Sequence, residues 1–362
     1  MSDPEVAVAN AVGLAQDAPT EPALSDEAYQ RHILQGVSRT FALTIPQLPE
    51  ELRRVVGNAY LLCRIADTIE DEPAMTAAEK RRLAASFVGL IGGEGQSDAF
   101  AQELGGLLSE NCLDAERDLV AHTGSVIRMT RNFNPVQRAA LHRCVRIMAD
   151  GMAEYQENES PDGLRDMGEL DRYCYHVAGV VGEMLTELFC DHCPQMVPHK
   201  EKLMRLAVSF GQGLQMTNIL KDVWEDRARG ACWLPRDVFH AQGFELANLS
   251  QGGGDPAFAR GIELLIGVAR GHLEDALEYT LSFPARERGI RRFCLWALGM
   301  AVLTLRKLND NLAYSSGAQV KISRRSVRAT IAVTNGLVSH DYLLRVLLSA
   351  LSRSLPPVRP EV

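Results

Sequence analysis

A stripe of polar acceptors on an otherwise apolar helix constrains this chain more than any other feature. In GQGLQMTNILKDVWEDRARGACWLP (211–235), Gln215, Asn218, Asp222, Glu225 and Asp226 recur at helical spacing and so share one face. Leu214, Ile219, Leu220, Val223 and Trp224 cover much of the rest. A solvated helix would scatter its acids among lysine partners. Carboxylates are rarely buried without a partner, because desolvating an ion is costly. A cation is one such partner.

A second acidic face ends another apolar helix. The pattern from Glu50 to Glu70 predicts a long amphipathic helix with Leu52, Val55, Val56, Ala59, Tyr60, Cys63 and Ala66 on its inner stripe. It closes in DTIED (67–71), stopped by Pro73. Asp67 and Asp71 stand one turn apart with Glu70 beside them, and Arg64 lies one turn earlier. The remaining periodicity predicts helices over 25–36, 76–91, 97–111, 115–131, 135–156, 170–190, 235–242, 256–282, 284–311, 326–335 and 340–354. GAQVKISRR (317–325) is a basic connector. No period-2 alternation, hairpin signal or repeat competes with this reading. The expected fold class is therefore all-α. No linker divides the chain, so a single catalytic domain is expected over 26–355. Residues 1–25, rich in Ala, Pro, Asp and Glu and without aromatics, are expected to be a disordered tail.

Charge and cysteine usage narrow the function classes. Asp and Glu outnumber Lys and Arg by 46 to 38, and no basic block suggests a nucleic-acid surface. The eight Cys are scattered, mostly inside apolar helical patterns. CDHC (190–193) lacks the second ligand pair a zinc site would need. A reducing cytoplasm is the expected compartment. The N-terminus has no signal-peptide pattern, and no run of 18 uncharged apolar residues is present. Any membrane contact would then be peripheral, at the cytoplasmic face.

The two acidic faces lie about 150 residues apart in sequence. They suggest two helices facing each other across a cavity. Mg²⁺ takes hard oxygen ligands at about 2.0–2.1 Å and typically holds one or two carboxylates plus substrate phosphates. Facing Asp pairs would capture a diphosphate through bridging Mg²⁺, while Leu, Met and Val on the surrounding helices would line an apolar tunnel. Such a site suits an enzyme that ionises an allylic diphosphate and shields a carbocation from water. Either cluster alone reads more readily as a solvated face, and the two together on apolar helices leave the two readings balanced. A di-iron carboxylate bundle would want paired Glu-x-x-His motifs, which are not suitably placed here.

At these residues the sequence resembles the squalene/phytoene synthase family. SRTF (38–41), YLLCRIADTIED (60–71), YCYHVAGVVG (173–182) and Gln215-x-x-Asn218-x-x-x-Asp222-x-x-Glu225-Asp226 occur in the family's order and spacing, over nearly the whole chain after residue 28. GMAEY (151–155), Phe293-Cys294 and VKI (320–322) are most similar to the squalene synthase branch. The resemblance implies the isoprenoid synthase fold, with helices around a central apolar cavity. It implies a two-step reaction on two farnesyl diphosphates: condensation to presqualene diphosphate, then reduction by NADPH to squalene. Asp67, Asp71, Asn218, Asp222 and Asp226 would hold Mg²⁺, or Mn²⁺ in its place, with Glu70 and Glu225 in support. Ser38, Arg39, Tyr60, Arg64, Gln215, Asn218 and Lys221 would bind diphosphate. Tyr173 matches the tyrosine implicated in proton relay, and Lys321 and Arg324 would meet the NADPH. Protein partners are not implied.

The chain also departs from the family pattern. Ala231 stands where a basic residue commonly follows the last Asp, and Arg227 or Arg229 could replace it. Ser323 stands where a basic residue often follows the Lys-Ile pair. No C-terminal membrane anchor of the eukaryotic kind is read. Leu343, Leu344, Val346, Leu347 and Leu351 instead form an apolar helix face, expected to pack on the core or to rest on a bilayer. The alternatives are a non-reductive enzyme stopping at dehydrosqualene, presqualene diphosphate or phytoene, and a non-catalytic assembly factor on the same fold. The latter sits poorly with four retained aspartates. A chain-elongating prenyltransferase would show D-D-x-x-D, which is absent.

Overall fold

Helical runs separated by local caps account for the architecture. The structure is a computed structural model that describes residues 24–38, 40–157, 160–249 and 254–358. Its first half comprises α1 (Asp26–Val37), α2 (Phe41–Thr44), α3 (Glu50–Asp71), α4 (Ala77–Gly92), α5 (Ser97–Leu107), α6 (Asp114–Ala121), α7 (Thr123–Arg131) and α8 (Pro135–Glu157). Then follow α9 (Met167–Cys174), α10 (Val180–His192), α11 (Lys200–Ala228), α12 (Arg236–His240), α13 (Pro256–Ser282), α14 (Arg288–Asn309), α15 (Gly317–Val320), α16 (Arg324–Leu337) and α17 (Asp341–Ser352). No strand forms among the described residues. One isolated parallel bridge joins Leu164 to Pro235. The tail expected over 1–25 lies outside the described residues, except for Leu24 and Ser25. Arg39 lies outside them too.

Side-chain caps fix several helix starts. The Ser25 hydroxyl accepts from Ala28 N–H at 3.3 Å and opens α1. Thr76 and Glu79 make a reciprocal capping box at α4. Asp255 accepts from Ala257 N–H at 2.7 Å, with Pro256 as the first residue of α13. Each such cap contributes about 1 kcal/mol.

Two expected helices are interrupted. The run over 115–131 breaks at His122, whose ring stacks on Tyr29 with centroids 4.3 Å apart. The Thr123 hydroxyl donates to the Val120 carbonyl at 2.7 Å, and this local bond competes with continued helix. The run over 170–190 contains a π-turn at Tyr175–Gly179 between α9 and α10. There the backbones of α10 and α11 nearly touch. A Cβ on Gly211 would lie 2.4 Å from the Ala178 carbonyl oxygen, and one on Gly182 would lie 2.2 Å from that of Ala207.

Helix α11 is central, packing along α13 and against α10 and α14. Helix α3 packs on α8, α7 and α10. Arg291 on α14 is 2% exposed and donates to the carbonyls of Leu281, Phe283 and Val338, pairing also with Asp341 at 2.6 Å. It thus ties the α13–α14 turn to the α16–α17 turn. On α17, Leu344 and Leu348 are buried, whereas Leu343 and Val346 remain 44% and 47% exposed. The apolar face expected there is half core and half surface. Among the described residues, no helix is long and apolar enough to cross a membrane.

Candidate functional site

The packing of α3 and α11 leaves their polar faces on one internal space. Helix α3 buries Leu62, Ile65, Ala66 and Ile69, which turns Tyr60 and Asp67 the other way. Helix α11 buries Met216, Ile219, Leu220 and Val223, leaving Gln215, Asn218, Lys221, Asp222 and Glu225 on the same space. The cavity has a volume of about 1450 Å³. That exceeds the roughly 300–1,000 Å³ of a single small-molecule pocket. Ser38 joins the lining ahead of α2, and Lys321 and Arg324 join it at the start of α16. Val181, Leu185, Phe189, Leu214, Phe293 and Met300 contribute apolar wall.

Arg64, Glu70, Asp71, Tyr173 and Asp226 are not in that lining; they surround its acidic end. Arg64 pairs with Asp67 at 3.6 Å and also with Glu116. Burial pushes the Asp67 carboxyl up to about 7; Arg64 opposes the shift, and Asp71 and Glu116 add to it. Asp71 is also held above the usual carboxylate range by loss of hydration, with Arg64 and Arg229 opposing. Burial raises Asp226, offset by its ion pair with Arg229. Arg229 therefore acts on acids of both helices, which places the two acidic ends side by side. Arg227 instead donates to the carbonyls of Pro161 and Ala247. Of the two replacements considered for Ala231, Arg229 is the one that faces the acids.

Among the described residues, no three His, Cys, Asp or Glu side chains converge as a ready-made metal cage. The donor set nonetheless fits a hard cation. Within it, Asp67, Asp71 and Asp226 are held above the usual carboxylate range, chiefly by burial with neighbouring acids adding, so a cation would relieve them. Mg²⁺ keeps several positions for water or phosphate oxygens and needs only one or two carboxylates from each wall.

Neighbouring segments hold these groups in place. Lys221 pairs with Asp222 at 2.8 Å. Glu225 accepts from the Gly317 N–H at 2.9 Å, and the Tyr314 hydroxyl bonds to the Leu220 carbonyl, so α15 is fastened onto α11. A Cβ at Gly317 would sit 3.0 Å from the Lys221 carbonyl oxygen. The Tyr60 hydroxyl donates to the Val37 carbonyl at 2.8 Å, and the Ser38 hydroxyl accepts from Phe41 N–H at 2.9 Å. Tyr173 stacks on Trp233 with centroids 4.2 Å apart and planes 4° from parallel, and meets Tyr155 edge-on. Burial raises its phenol well above the ordinary value, with Glu70 and Asp226 adding, so the hydroxyl stays protonated as a donor.

Sequence reasoning missed Trp233, Glu116 and Arg328. Trp233 had a faint signal in the WLP that follows the stripe; the backbone bonds between Leu164 and residues 234 and 236 hold that segment beside α9. Glu116 carried none, being 52 residues from Arg64. Arg328 lines the cavity one helical turn after Arg324.

An all-α shell around an apolar cavity, with carboxylates on two facing helices, defines an isoprenoid synthase fold. The squalene/phytoene synthase family model matches residues 34–326, and the chain belongs to that family. The squalene synthase of Eremothecium gossypii is 30% identical over 278 residues, covering 75% of this chain and 60% of that one. The chain thus spans about 60% of the length of the curated relatives it matches. In fold it is similar to TcSQS in complex with the ligand BPH1237, with TM-score 0.71 and 24% identity over 91% of each chain. A dehydrosqualene synthase in complex with a ligand superposes with TM-score 0.62 and 20% identity, over 88% of this chain and 97% of that one.

Proposed function

We propose that this chain is a squalene synthase, joining two farnesyl diphosphates head to head and reducing the product with NADPH. The observation that carries the reading is a large apolar cavity with facing carboxylates at one end and the Lys321–Arg324 cations also on its wall. The squalene synthases among its relatives support the same activity.

In this reading Asp67, Asp71, Asn218, Asp222 and Asp226 hold Mg²⁺ or Mn²⁺, assisted by Glu70 and Glu225. When bound, the metal neutralises the departing diphosphate. Ser38, Arg39, Tyr60, Arg64, Gln215 and Lys221 orient the diphosphates. The apolar walls exclude water from the allylic cation that remains, so the acceptor's 2,3-double bond attacks C1 instead. Loss of one proton gives presqualene diphosphate, and the Tyr173 hydroxyl passes that proton toward diphosphate oxygen. Loss of the second diphosphate leaves a rearranged cation. Lys321 and Arg324, on the cavity wall, would hold NADPH, which when bound would supply the hydride for the reductive half. The balance is two farnesyl diphosphates and NADPH to squalene, two diphosphates, NADP⁺ and a proton. The exposed Tyr342, Leu343 and Val346 on α17 form the surface for peripheral contact with a bilayer at the cytoplasmic face.

Purified protein incubated with farnesyl diphosphate and Mg²⁺, with and without NADPH, tests the reading. Squalene is expected with NADPH, and presqualene diphosphate or non-reduced products without it. A product profile indifferent to NADPH refutes the reductive half. In the Asp67→Asn, Asp222→Asn double variant, turnover should be lost with helicity retained; retained turnover refutes the metal assignment.

A further inference from the structure

The cavity wall carries one more cation than the proposed reaction has used. Helix α16 turns Arg324, Val327, Arg328 and Ile331 toward the cavity, the one-face spacing of an α-helix. Arg324 and Arg328 are thus like charges one turn apart, and Lys321 lies just before the helix on the same wall. Like charges at that spacing repel, and Arg324 in the first turn of α16 also opposes the helix dipole. Among the described residues, no hydrogen bond or ion pair offsets this for Lys321, Arg324 or Arg328. Arg345 and Arg291, by contrast, are paired with Glu278 and Asp341. Ser323, between Lys321 and Arg324, is committed to the helix: its hydroxyl accepts from Ser326 N–H at 3.0 Å and meets the Ser326 hydroxyl at 2.9 Å. Three exposed cations without an acidic partner, grouped on the wall of a cavity that also admits substrate, make a place where a multiply charged anion can be bound.

We propose that Arg328 completes a phosphate-binding cluster with Lys321 and Arg324, and that it selects the 2′-phosphorylated nicotinamide dinucleotide over the unphosphorylated one. The proposal rests on the reductive reading above. NADPH and NADH differ only in that phosphate, and arginine meets phosphate oxygens with two parallel donors. The acidic end of the cavity, with Arg64, Lys221 and Arg229 already paired there, is left to the prenyl diphosphates.

The test is Arg328→Gln, with Arg328→Lys as the conservative control. Arg328 is exposed, so both variants should fold. In the reductive assay, the KM for NADPH should rise about tenfold in the Gln variant, the loss of one charge-assisted contact. The KM values for NADH and farnesyl diphosphate should stay within about twofold, and Lys should recover most of the loss. Calorimetry with 2′,5′-ADP and 5′-AMP reads the same preference without turnover. A wild-type protein that makes no NADPH-dependent product, yet prefers 2′,5′-ADP through Arg328, keeps the cluster and refutes the reductive reading. Squalene formation with an unchanged NADPH-to-NADH ratio in the Gln variant overturns the proposal and keeps the reading. A rise confined to the farnesyl diphosphate KM also overturns it, assigning the cation to the prenyl diphosphate.

Discussion

Asp67 concentrates the chemistry of the site in one side chain. Its carboxyl is raised to about 7 chiefly by burial, against an ordinary value of 3.8. Between those values the folded protein binds a proton that the unfolded chain does not. Stability of the metal-free protein should therefore fall as pH rises through that window, with the benefit gone above about 7. Asp67→Asn should flatten this slope and raise the metal-free Tm at pH 8, by about 2 °C for each kcal/mol relieved. Thermal melts across pH 5–8 check it, and a steeper fall in the variant would contradict the assignment. Arg64 does not remove the strain because Glu116 shares it.

At the scale of elements, the contact of α11 with the π-turn decides whether the cavity keeps its shape. Gly211 lines the cavity and lets the two backbones meet. In Gly211→Ala the added Cβ would strike the Ala178 carbonyl oxygen at 2.4 Å, which cannot rotate away as a side chain would. Overpacking of this kind costs about 1–3 kcal/mol. Urea unfolding should show that loss, together with reduced turnover as α11 and its acids shift. A variant of unchanged stability would show that the helices separate freely. The π-turn escaped the periodic pattern because the sequence over 170–190 remains helical in composition; a wider turn is chosen only by what packs against it.

At the scale of the molecule, the proposed reading makes the two acidic ends halves of a site that a ligand joins. Because no cage is preformed among the described residues, Mg²⁺ alone should shift the Tm little. Mg²⁺ with inorganic pyrophosphate should raise it clearly, since ligand at 100 times its Kd stabilises by about 2.7 kcal/mol. Equal shifts with and without pyrophosphate would mean that the protein alone supplies the ion's ligands. The sequence by itself determined the all-α class, the bounds of most helices and the two acidic faces. Those properties are local: apolar residues at a period of 3.6 residues, caps at the ends, and acids three and four apart. Tertiary structure alone decided which acids line the cavity and which stand behind it. It gave Arg229 rather than Arg227 to the acids, set Trp233 against Tyr173, and put Arg328 on the cavity wall beside Arg324. Each of these depends on contacts between segments far apart in the chain, for which the spacing of residues along it carries no signal.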